Sequence, residues 1–197
     1  MAPGMLKQGD FSGTPSAAYL EEHWYAAYTS ANHEKRVAEQ LDLRAVKHFL
    51  PLYKTVRRWK DRRVCLEMPL FPGYVFVQLA LVNRLSVLQI PSVARLVGFN
   101  GQPSVVSDSE IEAVKSCLAC GMRAEPHPYL NVGRRARITA GALAGYEGVL
   151  VRYKGHYRVV LSIESVSQSI AVEVDESMLA PVRKPGHQER GSLSLSQ

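Results

Sequence analysis

The sequence predicts an α+β chain: an α/β sandwich with a mainly antiparallel sheet, followed by a small all-β barrel. Over residues 23–121, apolar residues recur at helical spacing in some segments and alternate in others. A stretch without periodicity follows, holding Pro126, His127 and Pro128. Beyond it the grammar changes to short β-branched runs broken by glycine, with turn signals roughly every eight to twelve residues, as in small barrels.

Residues 1–22 are rich in Gly, Ser, Pro and Ala and read as a mobile leader. His23 to Thr29 is aromatic and fits a strand, with Trp24 and Ala26 on the face of Tyr28. Asn32 is placed to cap a helix over 33–46, with Glu34 in its first turn and Val37, Leu41 and Ala45 as its apolar stripe. Residues 48–53 suit a strand. Lys54 to Arg63 carries six basic residues, one acid and a central Trp59, and reads as the tip of a long hairpin. Its return limb runs to Leu79, interrupted by Pro69, Pro72 and Gly73. A short helix over 82–90, a strand over 93–99, a turn at 101–103 and a brief extended piece at Val105-Val106 follow. Ser107 and Glu110 form a capping box, Ile111, Val114 and Leu118 a buried stripe, and Gly121 a C-terminal stop. Residues 122–130 read as a linker. Strands are expected at 135–138, 148–153, 157–163 and 169–174, and residues 183–197 as a disordered tail.

Composition narrows the classes. With 46% hydrophobic and 21% charged residues, the chain is globular. No apolar run is long enough for a membrane span, and no signal peptide is visible, so a cytoplasmic location is expected. Three cysteines, an odd number, argue against a disulfide framework. Cys117 and Cys120 form a lone CxxC in a helical pattern and read as two small, partly buried side chains. No cofactor or metal site is expected. The net charge of +6 is uneven: 13 basic against 8 acidic residues over 23–121, and 6 against 5 over 131–182. The first segment is thus the one suited to nucleic acid. Catalytic motifs such as GxxxxGK[ST], HExxH and GxSxG are absent, so no enzyme is expected.

Pro69-Leu70-Phe71-Pro72-Gly73-Tyr74-Val75-Phe76-Val77 resembles the strand motif of the NusG N-terminal (NGN) domain. Gly141-Ala142-Leu143-Ala144-Gly145-Tyr146-Glu147-Gly148-Val149 is similar to the heart of a KOW module. Trp24-Tyr25, Glu34-x-Arg36-Val37, Val97-Gly98-Phe99 and Val106-Ser107-Asp108-x-Glu110-Ile111 match in the family's order. The resemblance runs over residues 23–182, with an NGN domain at 23–121 and a KOW domain, an SH3-like barrel, at 131–182. It implies a transcription elongation and antitermination factor that docks on the clamp helices of bacterial RNA polymerase core, suppresses pausing and recruits a partner through its KOW domain.

Tyr74 and Phe76 lie two apart and share one strand face. From the residues alone, they and Tyr28 fit either a core or a docking patch. The resemblance assigns Tyr28, Phe71, Tyr74 and Phe76 to the clamp contact, facing outward. It places Asn83, Arg84 and Ser86 at the gate loop. Arg57, Arg58, Lys60, Arg62 and Arg63 around Trp59 suit upstream DNA phosphates or polymerase acids, or else form a solvated tip. His33, Lys35 and Arg36 open the first helix, where specialised relatives read non-template DNA; Ser30 stands where such a relative has lysine. Gly141, Gly145 and Gly148 are expected to make positive-φ turns.

Glu164-Ser165-Val166-Ser167-Gln168-Ser169 lacks the phenylalanine with which housekeeping members bind Rho or a ribosomal small-subunit protein. This speaks against Rho and leans toward a specialised paralogue, RfaH- or UpxY-like and monomeric. The other readings are a ribosome- or RNA-binding KOW protein, and a housekeeping factor coupling polymerase to Rho or the ribosome. The β-branched, glycine-punctuated KOW segment predicts a constitutive barrel and not a helical hairpin.

Overall fold

The computed structural model describes residues 19–59, 62–127, 135–153 and 156–182. Residues 1–18 of the leader expected over 1–22, the tail over 183–197, Lys60 and the end of the linker lie outside them.

The main sheet is antiparallel. Its strands are β1 (Glu22–Thr29), β2 (His48–Phe49), β5 (Tyr74–Ala80), β6 (Val93–Leu96) and β9 (Val105–Val106), in the order β2-β5-β1-β6, with β9 also on β1. Alternation divides their side chains between two faces. Tyr25, Ala27, Val75, Val77 and Leu79 meet Val37 and Leu41 of helix α1 (Glu34–Leu43) and Val87 of the short helix α2 (Leu85–Leu88). Trp24, Ala26, Phe76 and Val106 lie on the opposite face, beneath helix α3 (Asp108–Ala119). There Ser107 accepts the Ser109 amide, and Glu110 accepts the Ser107 amide at 3.0 Å, completing the expected capping box. The buried stripe of α3 is Ile111, Val114 and Cys117; Leu118 is only half-buried.

Some local expectations need correction. Asn32 does not cap α1: it has φ +61°, and His33 occupies the cap position without a side-chain bond. Ala45 lies past the helix end with φ +52° and is exposed, so it is no part of the stripe. The long hairpin is a separate two-stranded ribbon of β3 (Leu52–Trp59) and β4 (Arg62–Pro69). Its return limb stops at Pro69, and a turn through Pro72 and Gly73 carries the chain back into the main sheet as β5. The strand expected over 93–99 breaks after Leu96. Gly98–Phe99 (β7) pairs instead with Gln102–Pro103 (β8) around an Asn100-Gly101 turn in which both residues have positive φ.

The second sheet is β10-β14-β13-β12-β11-β15, wholly antiparallel. It consists of β10 (Ala124–His127), β11 (Arg135–Ile138), β12 (Glu147–Tyr153), β13 (His156–Ile163), β14 (Gln168–Val174) and β15 (Leu179–Pro181). The strand β10 falls where a linker was expected. Its proline is tolerated because the strand sits at the sheet edge. Gly141 and Gly145 have φ +81° and +91° and shape the turn between β11 and β12. Gly148 departs from its expected role. It lies within β12 without positive φ, and a Cβ there would fall 2.5 Å from Val159 Cγ1 and the Val160 carbonyl oxygen. It is needed for close strand approach, not for a turn.

The barrel does not stand apart from the sandwich. One buried apolar cluster runs from Trp24 and Phe76 through α3 to Leu161, Ile163 and Val166 of the barrel. The Glu164 amide donates to Glu110 Oε1 at 3.2 Å, and Gln168 Nε2 donates to the Pro72 carbonyl at 3.4 Å.

Candidate docking surface

The turn between Phe71 and Tyr74 is fixed from three sides. Gly73 takes φ +85°, which a side chain would strain. Its amide donates to Glu34 Oε1 at 2.7 Å, and its carbonyl accepts the Thr29 amide at 2.8 Å. The Glu34 side chain belongs to a residue only 4% exposed, at the first position of α1, where the helix terminus favours a negative charge. A Cβ on Gly73 would come within 3.4 Å of Tyr28 Cε2. This turn therefore sets where the aromatic row begins.

Register places Tyr28 opposite Tyr74 and Ala26 opposite Phe76. The Tyr28 and Tyr74 rings are 5.5 Å apart and tilted by 52°. Tyr28 is 40% exposed and Tyr74 half-buried. Burial pushes the Tyr74 phenol above its ordinary range; Tyr28 adds to the rise and Arg95 opposes it. Phe71 and Phe76, expected to face outward, are 1% and 0% exposed and meet edge to face at 5.5 Å. They belong to the buried cluster that includes α3 and the barrel. Alternation had put Phe76 on the correct face, but that face is covered at this point.

The remaining candidates whose side chains are described stay at the surface. His33 Nδ1 is 2.7 Å from Ser92 Oγ, and Lys35 and Arg36 are exposed on the outer side of the first turn of α1. Arg57, Arg58, Arg62 and Arg63 are exposed on the β3–β4 ribbon, where Arg58 stands directly opposite Arg63 and Trp59 ends β3. Asn83, Arg84 and Ser86 sit around the start of α2. Ser86 Oγ donates to the Asn83 carbonyl at 2.7 Å, and Arg84 donates to the Leu81 carbonyl at 3.2 Å. The structure thus gathers Tyr28, Tyr74 and the start of α1 at one end of the sheet. The ribbon and the α2 group are separate elements.

Comparison with known proteins points to one family. The family model described as transcription termination factor NusG matches residues 22–115. The transcription termination/antitermination protein NusG of Yersinia pestis is 28% identical over 175 residues, covering 81% of this chain and 96% of that protein. The protein of the same description from Escherichia coli K12 gives the same figures, and that from Neisseria meningitidis is 24% identical over 179 residues. The chain is similar to the NusG family.

The fold agrees with that likeness. A solved structure of Thermotoga maritima NusG, described as a domain interaction in that protein, covers 84% of this chain and 99% of its own with a TM-score of 0.53 at 20% identity. The NusG match begins at the first residue of β1 and ends within α3, so it spans the main sheet and the whole Phe71–Tyr74 turn.

Two residues of this surface were not among the sequence candidates. Arg95 lies over the Tyr28 ring at 5.6 Å. Glu34, read in the sequence as an ordinary first-turn acid, is the buried acceptor that holds Gly73. A buried carboxylate reaching across the fold leaves no trace in helical periodicity.

Proposed function

We propose that this NusG-like chain is a non-catalytic, cytoplasmic transcription elongation and antitermination factor that docks on the clamp helices of RNA polymerase core. The observation that carries the proposal is the open Tyr28–Tyr74 pair on the matched domain, with its carrier turn locked by Glu34 and Gly73. Exposed aromatics grouped on a rigid scaffold are typical protein-docking anchors. Phe71 and Phe76 support the surface from within.

The exposed arginines of the β3–β4 ribbon would contact upstream DNA, and His33, Lys35 and Arg36 the non-template strand, through salt-sensitive phosphate contacts. Asn83, Arg84 and Ser86 would meet the gate loop. The barrel would recruit a further partner such as a ribosomal small-subunit protein. The absence of an aromatic from Glu164 to Ser169 supports a specialised, operon-serving role over Rho coupling.

The test is equilibrium binding of the full-length chain to purified core polymerase. The Tyr28→Ala/Tyr74→Ala double variant should lose at least about tenfold in affinity, the loss of one aromatic anchor. It should keep its circular dichroism spectrum. Unchanged binding would show that the docking face lies elsewhere.

A further inference from the structure

The docking surface carries an unused charge. Arg95 on β6 stands opposite Tyr28 on β1, and Tyr28 stands opposite Tyr74 on β5. Directly opposed residues project to the same face, so the three form one row across three strands. The Arg95 guanidinium carbon lies 5.6 Å over the Tyr28 ring, and the next ring follows at 5.5 Å. Arg95 is exposed, and no carboxylate pairs with it among the described residues. Glu34, the acid that holds the Gly73 turn, is buried and committed to the Gly73 amide. Ser92, three residues before Arg95, bonds His33, so the basic start of α1 lies alongside.

A guanidinium resting on an aromatic face is held flat while its N–H edges stay available, the geometry that receives a carboxylate with two parallel bonds. The positive surroundings call for an acidic visitor. Stacking by nucleic-acid bases needs open ring faces. Here one face of Tyr28 lies under Arg95, and the ring is tilted 52° from Tyr74.

We infer that Arg95 is the charged anchor of the docking surface: it takes an aspartate or glutamate presented by a helix of the partner protein, while apolar side chains of the same helix lie along Tyr28 and Tyr74. The inference rests on the docking reading proposed above and adds the acidic feature that the partner helix must carry. It also explains an arrangement in which the rings that remain open are those beside a cation.

The experiment measures binding of the full-length chain and its Arg95→Glu, Arg95→Ala, Arg95→Lys and Tyr28→Ala variants to core RNA polymerase at low and high salt. Arg95→Glu is expected to weaken binding roughly tenfold or more at low salt, and Arg95→Ala by less. Arg95→Lys, which keeps the charge but loses the planar fork, should fall between Arg95→Ala and the parent. The parent should lose more affinity with added salt than Arg95→Ala. Normal binding by Arg95→Glu, with Tyr28→Ala impaired, would overturn the role of Arg95 and leave the docking face standing. Normal binding by all variants would remove the docking reading itself. If Arg95→Glu instead weakened binding to a single-stranded DNA oligonucleotide and left core binding intact, the row would be a nucleic-acid site and the inference would be wrong.

Discussion

The two faces of the main sheet are closed by different kinds of neighbour. On one, Tyr25, Ala27, Val75 and Val77 are covered by α1 and α2, helices that lie close to these strands along the chain. On the other, Trp24, Ala26 and Phe76 are covered by α3, whose cluster continues into a barrel far along the chain. Cover stops short of the Tyr28–Tyr74 end. The first face is pure core. The second is core at one end and a surface at the other, within two residues of the same strand: Phe76 is closed, whereas Tyr74 is half-open.

Phe76→Ala tests the closed end most severely. It should lower stability by about 3–5 kcal/mol in urea unfolding, as for a fully buried ring. A loss near zero would place Phe76 outside the core. Gly73→Ala probes the boundary. Its positive φ and the nearby Tyr28 ring predict a cost on the order of 1–3 kcal/mol, read by thermal melting. Ser107→Ala removes the cap of α3, the helix that closes this face, and should cost about 1 kcal/mol.

The smallest effect at neutral pH concerns Cys117, on the covered side of α3. Burial pushes its thiol from 9.0 up to about 11, with Cys120 adding to the rise. In a thiol-labelling assay at mildly alkaline pH, Cys65 and Cys120 should react at once and Cys117 only on unfolding. The raised folded pKa contributes stability that is fully present below 9 and is lost as pH climbs through about 11. Rapid labelling of native Cys117 would mean that α3 lifts readily, and the contrast between the faces would weaken.

Much of this was legible in the residues. Period-two alternation put Trp24, Ala26 and Tyr28 on one face of their strand and Tyr74 and Phe76 on one face of theirs, and the Ser107–Glu110 pair marked the start of α3. Alternation says which way a side chain points, however, and not what lies beyond it. The burial of Phe71 and Phe76 depends on packing by elements distant in sequence. The strand β10 escaped notice because Ala124-Glu125-Pro126-His127 has no β-branched residue and is ordered by pairing with β14. Arg95 escaped because its partner ring is on another strand, brought alongside only by sheet order.

The Glu34–Gly73 bond ties the first turn of α1 and the Phe71–Tyr74 bend into one exchangeable cassette. Anyone transplanting the basic helix start into a relative would have to carry the bend along with it. Moved alone, the carboxylate would arrive in an enclosed site without its amide donor. Its reorientation would then shift Tyr28 and Tyr74, so two surfaces that look separable for engineering must be inherited together.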